Sequence, residues 1–204
     1  MTSHSKYSAS GAHRWIACPG SLALAKLAPP SVNSIAAMRG TAAHEVAARY
    51  LQGPGTEPVA CEGEEVQVES VVITLDDDLA RQVEVYVEYV RGLGGIRLVE
   101  VQSNYAATLG LSQEEAWGTT DAAVIDDHTL HVVDLKTGRK WVSAQENPQL
   151  MLYGTGVAES LEAVGLWDEI EEIVLTVVQP AVKDAPEQWR LTRAEFEEKR
   201  EELY

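Results

Sequence analysis

The chain has 204 residues, 45% hydrophobic and 24% charged, a balance that suits a globular domain and excludes wholesale disorder. Sixteen Lys+Arg against 32 Asp+Glu give a formal charge of −16, which argues against a protein that coats nucleic acid through broad basic patches. Two cysteines, Cys18 and Cys61, exclude a disulfide framework, and no apolar run approaches the ~18 residues of a membrane span.

The opening residues Met1 to Lys6 lack the apolar core of a signal peptide, so a reducing, cytoplasmic setting is expected. Ser8-Ala9-Ser10 offers a helix cap. Helical material then runs through Trp15, Ile16, Leu22, Leu24 and Leu27, is interrupted at Cys18-Pro19-Gly20 and ends at Pro29-Pro30. An alanine-rich helix follows over 35–51, with Thr41 as a cap and His44, Ala47, Ala48 and Leu51 on one face. Residues 52–70 read as a Gly/Pro/Glu-rich connection in which Glu62, Glu64 and Glu65 are solvated. Asp76-Asp77-Asp78 opens a helix to Val90, ended by Gly92-Leu93-Gly94-Gly95. Strands are predicted over 97–105, 117–125 and 130–135. Asn147-Pro148 starts a helix to about Val164, residues 172–179 form a buried strand, and 192–204 form a charged helix. This order predicts an α/β fold with a mixed central sheet flanked by helices and preceded by N-terminal helices. It divides one domain, 1–204, into a helical part (1–51), an acidic connection (52–75), a catalytic core (76–180) and a C-terminal helix.

The hairpin GTTDAAVIDDHTLHVVDLKTG carries the chemistry. With a four-residue loop at 126–129, Ile125 pairs with Leu130, and counting outward sets Asp121 directly across from Asp134. Lys136 shares the Asp134 face, because side chains alternate with period two. Opposed Cβ atoms sit ~5 Å apart, so two carboxylates there repel unless a cation lies between them. Hard oxygen ligands at that separation suit Mg²⁺ or Mn²⁺. A solvated hairpin face would be the alternative, but the flanking residues are apolar and β-branched, as in an interior strand.

Asp121, a hairpin, and then Asp134-Leu135-Lys136-Thr137-Gly138 resemble the core of the PD-(D/E)XK nucleases in their RecB-like branch. Three further pieces fit in order. Ser8-Ala9-Ser10 with Cys18-Pro19 resembles the N-terminal SxS…CP element, Gly40-Thr41-Ala42-Ala43-His44 the helix that supplies a histidine, and Gln149 to Tyr153 the QxxxY helix. The NPQLMLYG version looks most like uncharacterised phage and prophage proteins of that superfamily. The resemblance implies a restriction-endonuclease-like core in which His44, Asp121, Asp134 and the Leu135 backbone carbonyl bind the metal. Lys136 would orient or polarise the attacking water, and Gln149 and Tyr153 would contact the scissile strand. Glu100, in the strand LVEVQ, is either a further metal ligand or second-sphere acid, or a solvated strand position. Some RecB-like nucleases hold an iron–sulfur cluster with four cysteines. Here no cysteine follows Cys61, so no cluster is expected, and Cys18 reads as a small buried residue. His13, His128 and His131 show no partner pattern.

The implied function is a metal-dependent deoxyribonuclease of phage or prophage origin. It would be an exonuclease acting on linear DNA with a free end, in a bacterial cytoplasm, in recombination or DNA processing, alongside a phage single-strand-binding or recombination partner. The alternatives are a nuclease fold that no longer cuts and binds a partner, and an acidic DNA mimic. DNA versus RNA, exo- versus endonuclease action, strandedness, polarity and a homo-oligomeric state stay open. The first 50 residues hold five basic residues (Lys6, Arg14, Lys26, Arg39, Arg49) and one acidic, Glu45. A DNA groove is expected where Arg14, Lys26, Arg39 and Arg49 fold beside Lys136, Arg139 and Lys140. Lys136 beside a cation would cost stability, so its removal should cost rate while stability holds or rises.

Overall fold

The computed structural model describes residues 5–28, 33–55 and 57–203. Its helices are α1 (Ala12–Ala17), α2 (Ser21–Ala25), α3 (Ile35–Gln52), α4 (Asp77–Gly92), α5 (Pro148–Ala163) and α6 (Arg193–Glu201). Its strands are β1 (Glu65–Val68), β2 (Val71–Thr74), β3 (Ile96–Asn104), β4 (Trp117–Asp126), β5 (Thr129–Leu135), β6 (Glu172–Val178) and β7 (Glu187–Thr192). β3 to β7 form one mixed sheet in that order, and β1–β2 form a separate hairpin. Only β5–β6 is parallel. Strands that run the same way need a long crossover, and α5 lies in that connection. The α/β class with a mixed sheet flanked by helices is therefore what the molecule has.

Both faces of the sheet are covered, which explains the continuous apolar runs in β5 and β6. Leu130, Val132, Ile173 and Leu175 pack with α5, α1 and the turn at Ala9–Gly11. Val133, Leu135 and Val178 pack on the other side with α3, α4 and the β1–β2 hairpin. Helix α5 comes so close to β3 that a Cβ on Gly156 would lie 2.7 Å from Ser103 Cβ and 2.8 Å from its backbone carbon.

Several local expectations need correction. The stretch 52–75 is not all connection: Glu65-Val66-Gln67-Val68 alternates exposed and buried, and pairs with 71–74 across a two-residue turn. Its Gly, Pro and Glu content hid this period-two pattern. Glu64 is not merely solvated, since it accepts from Arg49 and Tyr50. Strand β7 was not anticipated, because its polar sequence EQWRLT suits an edge strand paired only with β6. Thr41 is not a cap. It sits inside α3, donating to the Ala37 carbonyl, and Ser34 caps the helix by accepting from the Ala37 N–H. Ser8 precedes the first helical turn without a side-chain capping bond. Cys18 is exposed rather than buried. The break at Cys18-Pro19-Gly20 does separate α1 from α2, while Pro29-Pro30 lies outside the described residues. No helix among the described residues is long and apolar enough to cross a membrane.

Candidate functional site

The tight β4–β5 turn sets the site. Asp126 pairs with Thr129, so only Asp127 and His128 remain in the turn, and the Ile125–Leu130 register holds back to Ala122↔Val133. The ladder stops there. Where the next pair would form, the Asp121 carboxylate accepts the Leu135 N–H at 2.8 Å. Leu135 is thus tied to the site through its amide.

The same position is irregular on the other side of β4. Val99 pairs with Ala122 and Val101 with Thr120, while Glu100 and Asp121 between them stay unpaired. Glu100 has φ 52°, a left-handed conformation that costs a residue with a Cβ about 1–3 kcal/mol. One interruption of the ladder therefore releases two carboxylates together. Helix α3 supplies the third group. Gly40 lets it approach the end of β5, where a Cβ would stand 3.2 Å from Thr137 Oγ1. One turn later His44 Nδ1 lies 3.1 Å from Asp121 Oδ1. One ligand atom each of His44, Glu100 and Asp121 lie within 4.8 Å of one another. The neighbouring unit is a second network on the α5 side. Asp134 is 2% exposed, and its Oδ1 accepts from Gln149 Nε2 at 3.0 Å. Its Oδ2 lies 2.9 Å from Lys136 Nζ, an ion-pair contact. Lys136 Nζ in turn donates to Gln149 Oε1 at 2.9 Å, and Gln149 Nε2 to Tyr153 Oη at 3.1 Å.

Local sequence places these groups. Asn147 caps α5 by accepting from the Gln149 and Leu150 amides, with Pro148 in the first turn. Gln149 and Tyr153, four apart, then share a face. Gly118 makes room for Tyr153, because a Cβ there would meet the ring at 2.9 Å. Ala9, from the Ser8-Ala9-Ser10 turn, also borders Gly118.

Burial pushes the His44 imidazolium down, but the facing Asp121 carboxylate outweighs it and holds His44 up at about 9. Crowding of its carboxyl and the Asp121 charge push Glu100 up to about 7, although the residue as a whole is exposed. Burial raises the Asp121 carboxyl, yet His44 and the Leu135 amide draw it below the usual carboxylate range. Burial also raises Asp134, against the pull of Lys136. Lys136 is held above the usual lysine range, since Asp134 offsets the cost of its burial. A proton on His44 and the Lys136 ammonium thus stand against the acids.

The expected residues assemble in part as the sequence implied. The mutual cluster is His44, Glu100 and Asp121; Asp134 belongs to the lysine network beside it. Glu100, which the sequence left between ligand and solvated position, sits in the cluster. Gln149 and Tyr153 are bound into the Asp134–Lys136 network. The single groove gathering all the N-terminal cations does not form. Arg39 is paired with Asp76 at 2.9 Å and Arg49 with Glu64 at 2.6 Å, and α1 and α3 lie on opposite faces of the sheet. His128 Nδ1 donates to the Glu169 carbonyl, and His131 is buried, its Nδ1 without a partner among the described residues.

The family model described as "Protein of unknown function (DUF2800)" matches residues 4–204. The chain belongs to the DUF2800 family. The DUF2800 match takes in every residue of the cluster and of the lysine network, so both lie inside the region that defines membership. It assigns DUF2800 no chemistry, and what the site can do rests on its residues.

Proposed function

We propose that the protein is a metal-dependent nuclease that hydrolyses DNA phosphodiester bonds. The carrying observation is the meeting of His44, Glu100 and Asp121 beside the Asp134–Lys136 ion pair. Two carboxylates and an imidazole, with a third carboxylate at hand, are a donor set that fits Mn²⁺ or Mg²⁺. His44, Glu100 and Asp121 would hold the ion, with the Asp134 carboxylate beside them. A bound divalent ion supplies a hydroxide near neutral pH and offsets phosphate charge. Lys136 is placed to orient the attacking water and to stabilise charge developing on the phosphate. Gln149 fixes the Lys136 ammonium and the Asp134 carboxylate relative to each other, and Tyr153 fixes Gln149. The order of these residues along the chain resembles the PD-(D/E)XK nucleases of the RecB-like branch, which supports the same reading, as does a mixed sheet of that kind.

Incubation with linear and with circular DNA, in Mg²⁺, Mn²⁺ or EDTA, tests this. Cleavage in Mn²⁺ or Mg²⁺ that EDTA and Asp121→Asn both abolish is expected. Attack on linear DNA alone marks an exonuclease, and attack on both an endonuclease. No cleavage with either ion overturns the proposal. The second reading, a nuclease fold that binds a partner without cutting, is favoured by the −16 charge and by the closed Asp134–Lys136 pair; it gains if metal binds and nothing is cut.

A further inference from the structure

Of the 16 basic side chains, eleven are tied to carboxylates or to backbone carbonyls. The other five, Arg14, Lys26, Arg139, Lys140 and Lys183, have no such partner among the described residues. Three of them lie close to one tryptophan, two along the chain and one in space. Arg139 and Lys140 directly precede Trp141, and Lys183 and Val182 line a small cleft together with it. All three cations are exposed, and Trp141 is 59% exposed. Its indole stacks on no other aromatic ring among the described residues.

The fold holds this arrangement in place. Gln179, only 5% exposed, follows β6 and reaches under the loop. Its Nε2 donates to the Gly138 and Lys140 carbonyls at 2.6 and 2.8 Å, and its Oε1 accepts the Val142 N–H at 3.0 Å. Backbone on both sides of Trp141 is thus pinned from within, so the indole stays at the surface. In a chain this acidic, free cations gathered around a fixed, exposed indole are matched to a polyanion with planar groups.

We propose that the Arg139-Lys140-Trp141 loop with Lys183 is a binding platform for single-stranded nucleic acid, one base stacking on Trp141 while the cations meet phosphates. A duplex keeps its base faces stacked inside, so an indole can use only an unpaired base. The proposal rests on the nuclease reading for its substrate class, because Lys136 begins the same loop.

The test is binding of the full-length chain, in EDTA so that nothing is cut, to fluorescent dT20, to a 20-base-pair duplex and to heparin, over a salt series. Trp141→Ala should weaken dT20 binding about 10-fold or more, the range of one base–aromatic stack. Trp141→Phe should keep most of the affinity while removing the quenching of tryptophan emission by dT20, which a merely structural role would not do. Reversing Arg139, Lys140 and Lys183 to Glu should flatten the salt dependence by about 0.7 in log–log slope per lost phosphate contact. Unchanged dT20 affinity in Trp141→Ala overturns the platform, as does heparin or duplex binding as tight as dT20. The two proposals fail separately. Wild-type protein that cuts DNA in Mn²⁺ but binds dT20 independently of Trp141 sinks only the platform, and protein that binds dT20 through Trp141 but never cuts sinks only the nuclease.

Discussion

Lys136 is 25% exposed at its side chain and Asp134 3%, with 2.9 Å between their charges. That geometry reverses the expectation that removing the lysine relieves strain. Asp134 is buried, and deleting its counter-charge leaves a buried carboxylate to desolvate alone or take up a proton. Lys136→Ala should therefore destabilise the metal-free protein by on the order of 3 kcal/mol, the scale of a broken buried pair. It should also cost at least ~10² in cleavage rate through the lost charge stabilisation. Urea melts of Lys136→Ala and of Asp134→Asn/Lys136→Met check the stability part: the double variant should recover much of the loss, and a single variant as stable as wild type would show the pair to be incidental.

Helix α5 does two jobs, spanning the parallel β5–β6 crossover and presenting Gln149 and Tyr153 to the site. Its closeness to the sheet rests on Gly156, where a Cβ would meet Ser103 backbone at 2.8 Å. Backbone cannot turn aside as a flexible side chain can, so the helix itself must move. Gly156→Ala is expected to cost about 1–3 kcal/mol by overpacking, even though alanine is the better helix former. Lifting α5 should also loosen the Gln149–Lys136 contact, lowering cleavage along with thermal stability. A melting temperature equal to or above wild type would show that the helix propensity gain prevails and that the close approach carries no weight.

Across the whole molecule the acids outnumber the bases two to one, and the site adds to the pH dependence with a definite sign. His44, raised from its ordinary 6.5 to about 9, contributes stability that is complete below 6.5 and is lost as pH climbs through 9. Glu100, raised from 4.5 to about 7, acts in the same direction, its contribution vanishing as pH passes 7. Asp121 is lowered and opposes them only on acidification. The metal-free protein should therefore melt at a lower temperature at pH 9 than at pH 6. An ion bound there as proposed would have to displace the His44 and Glu100 protons, so Mn²⁺ affinity should rise over the same interval and the stabilisation it gives should grow. Melting curves at pH 6, 7.5 and 9, with Mn²⁺ or EDTA, check this; Mn²⁺ that raises the melting temperature equally at all three would separate metal binding from these two groups.

The Ile125–Leu130 register was legible because a tight hairpin lets pairing be counted outward residue by residue, although the turn has two residues rather than four and the ladder ends at Ala122↔Val133, one step short of Asp121 and Asp134; the cap at Asn147 was legible because capping is a local bond between neighbours. The mixed α/β class followed from the same local patterns. Glu100 was not, since β3 joins β4 through residues 105–116, and no count crosses a connection of that length. Its place opposite Asp121, with a left-handed backbone that alternation alone would never assign, comes from the packing of β3 on β4. The ion pairs that withdraw Arg39 and Arg49 from any shared groove were likewise invisible, because their partners Asp76 and Glu64 lie far along the chain. By itself the sequence determined the elements whose bonds are local and the one register that a tight turn propagates. Which carboxylates share a site, which cations stay free, and that Gln179 holds Trp141 in water were decided by tertiary structure, since each depends on where distant segments meet.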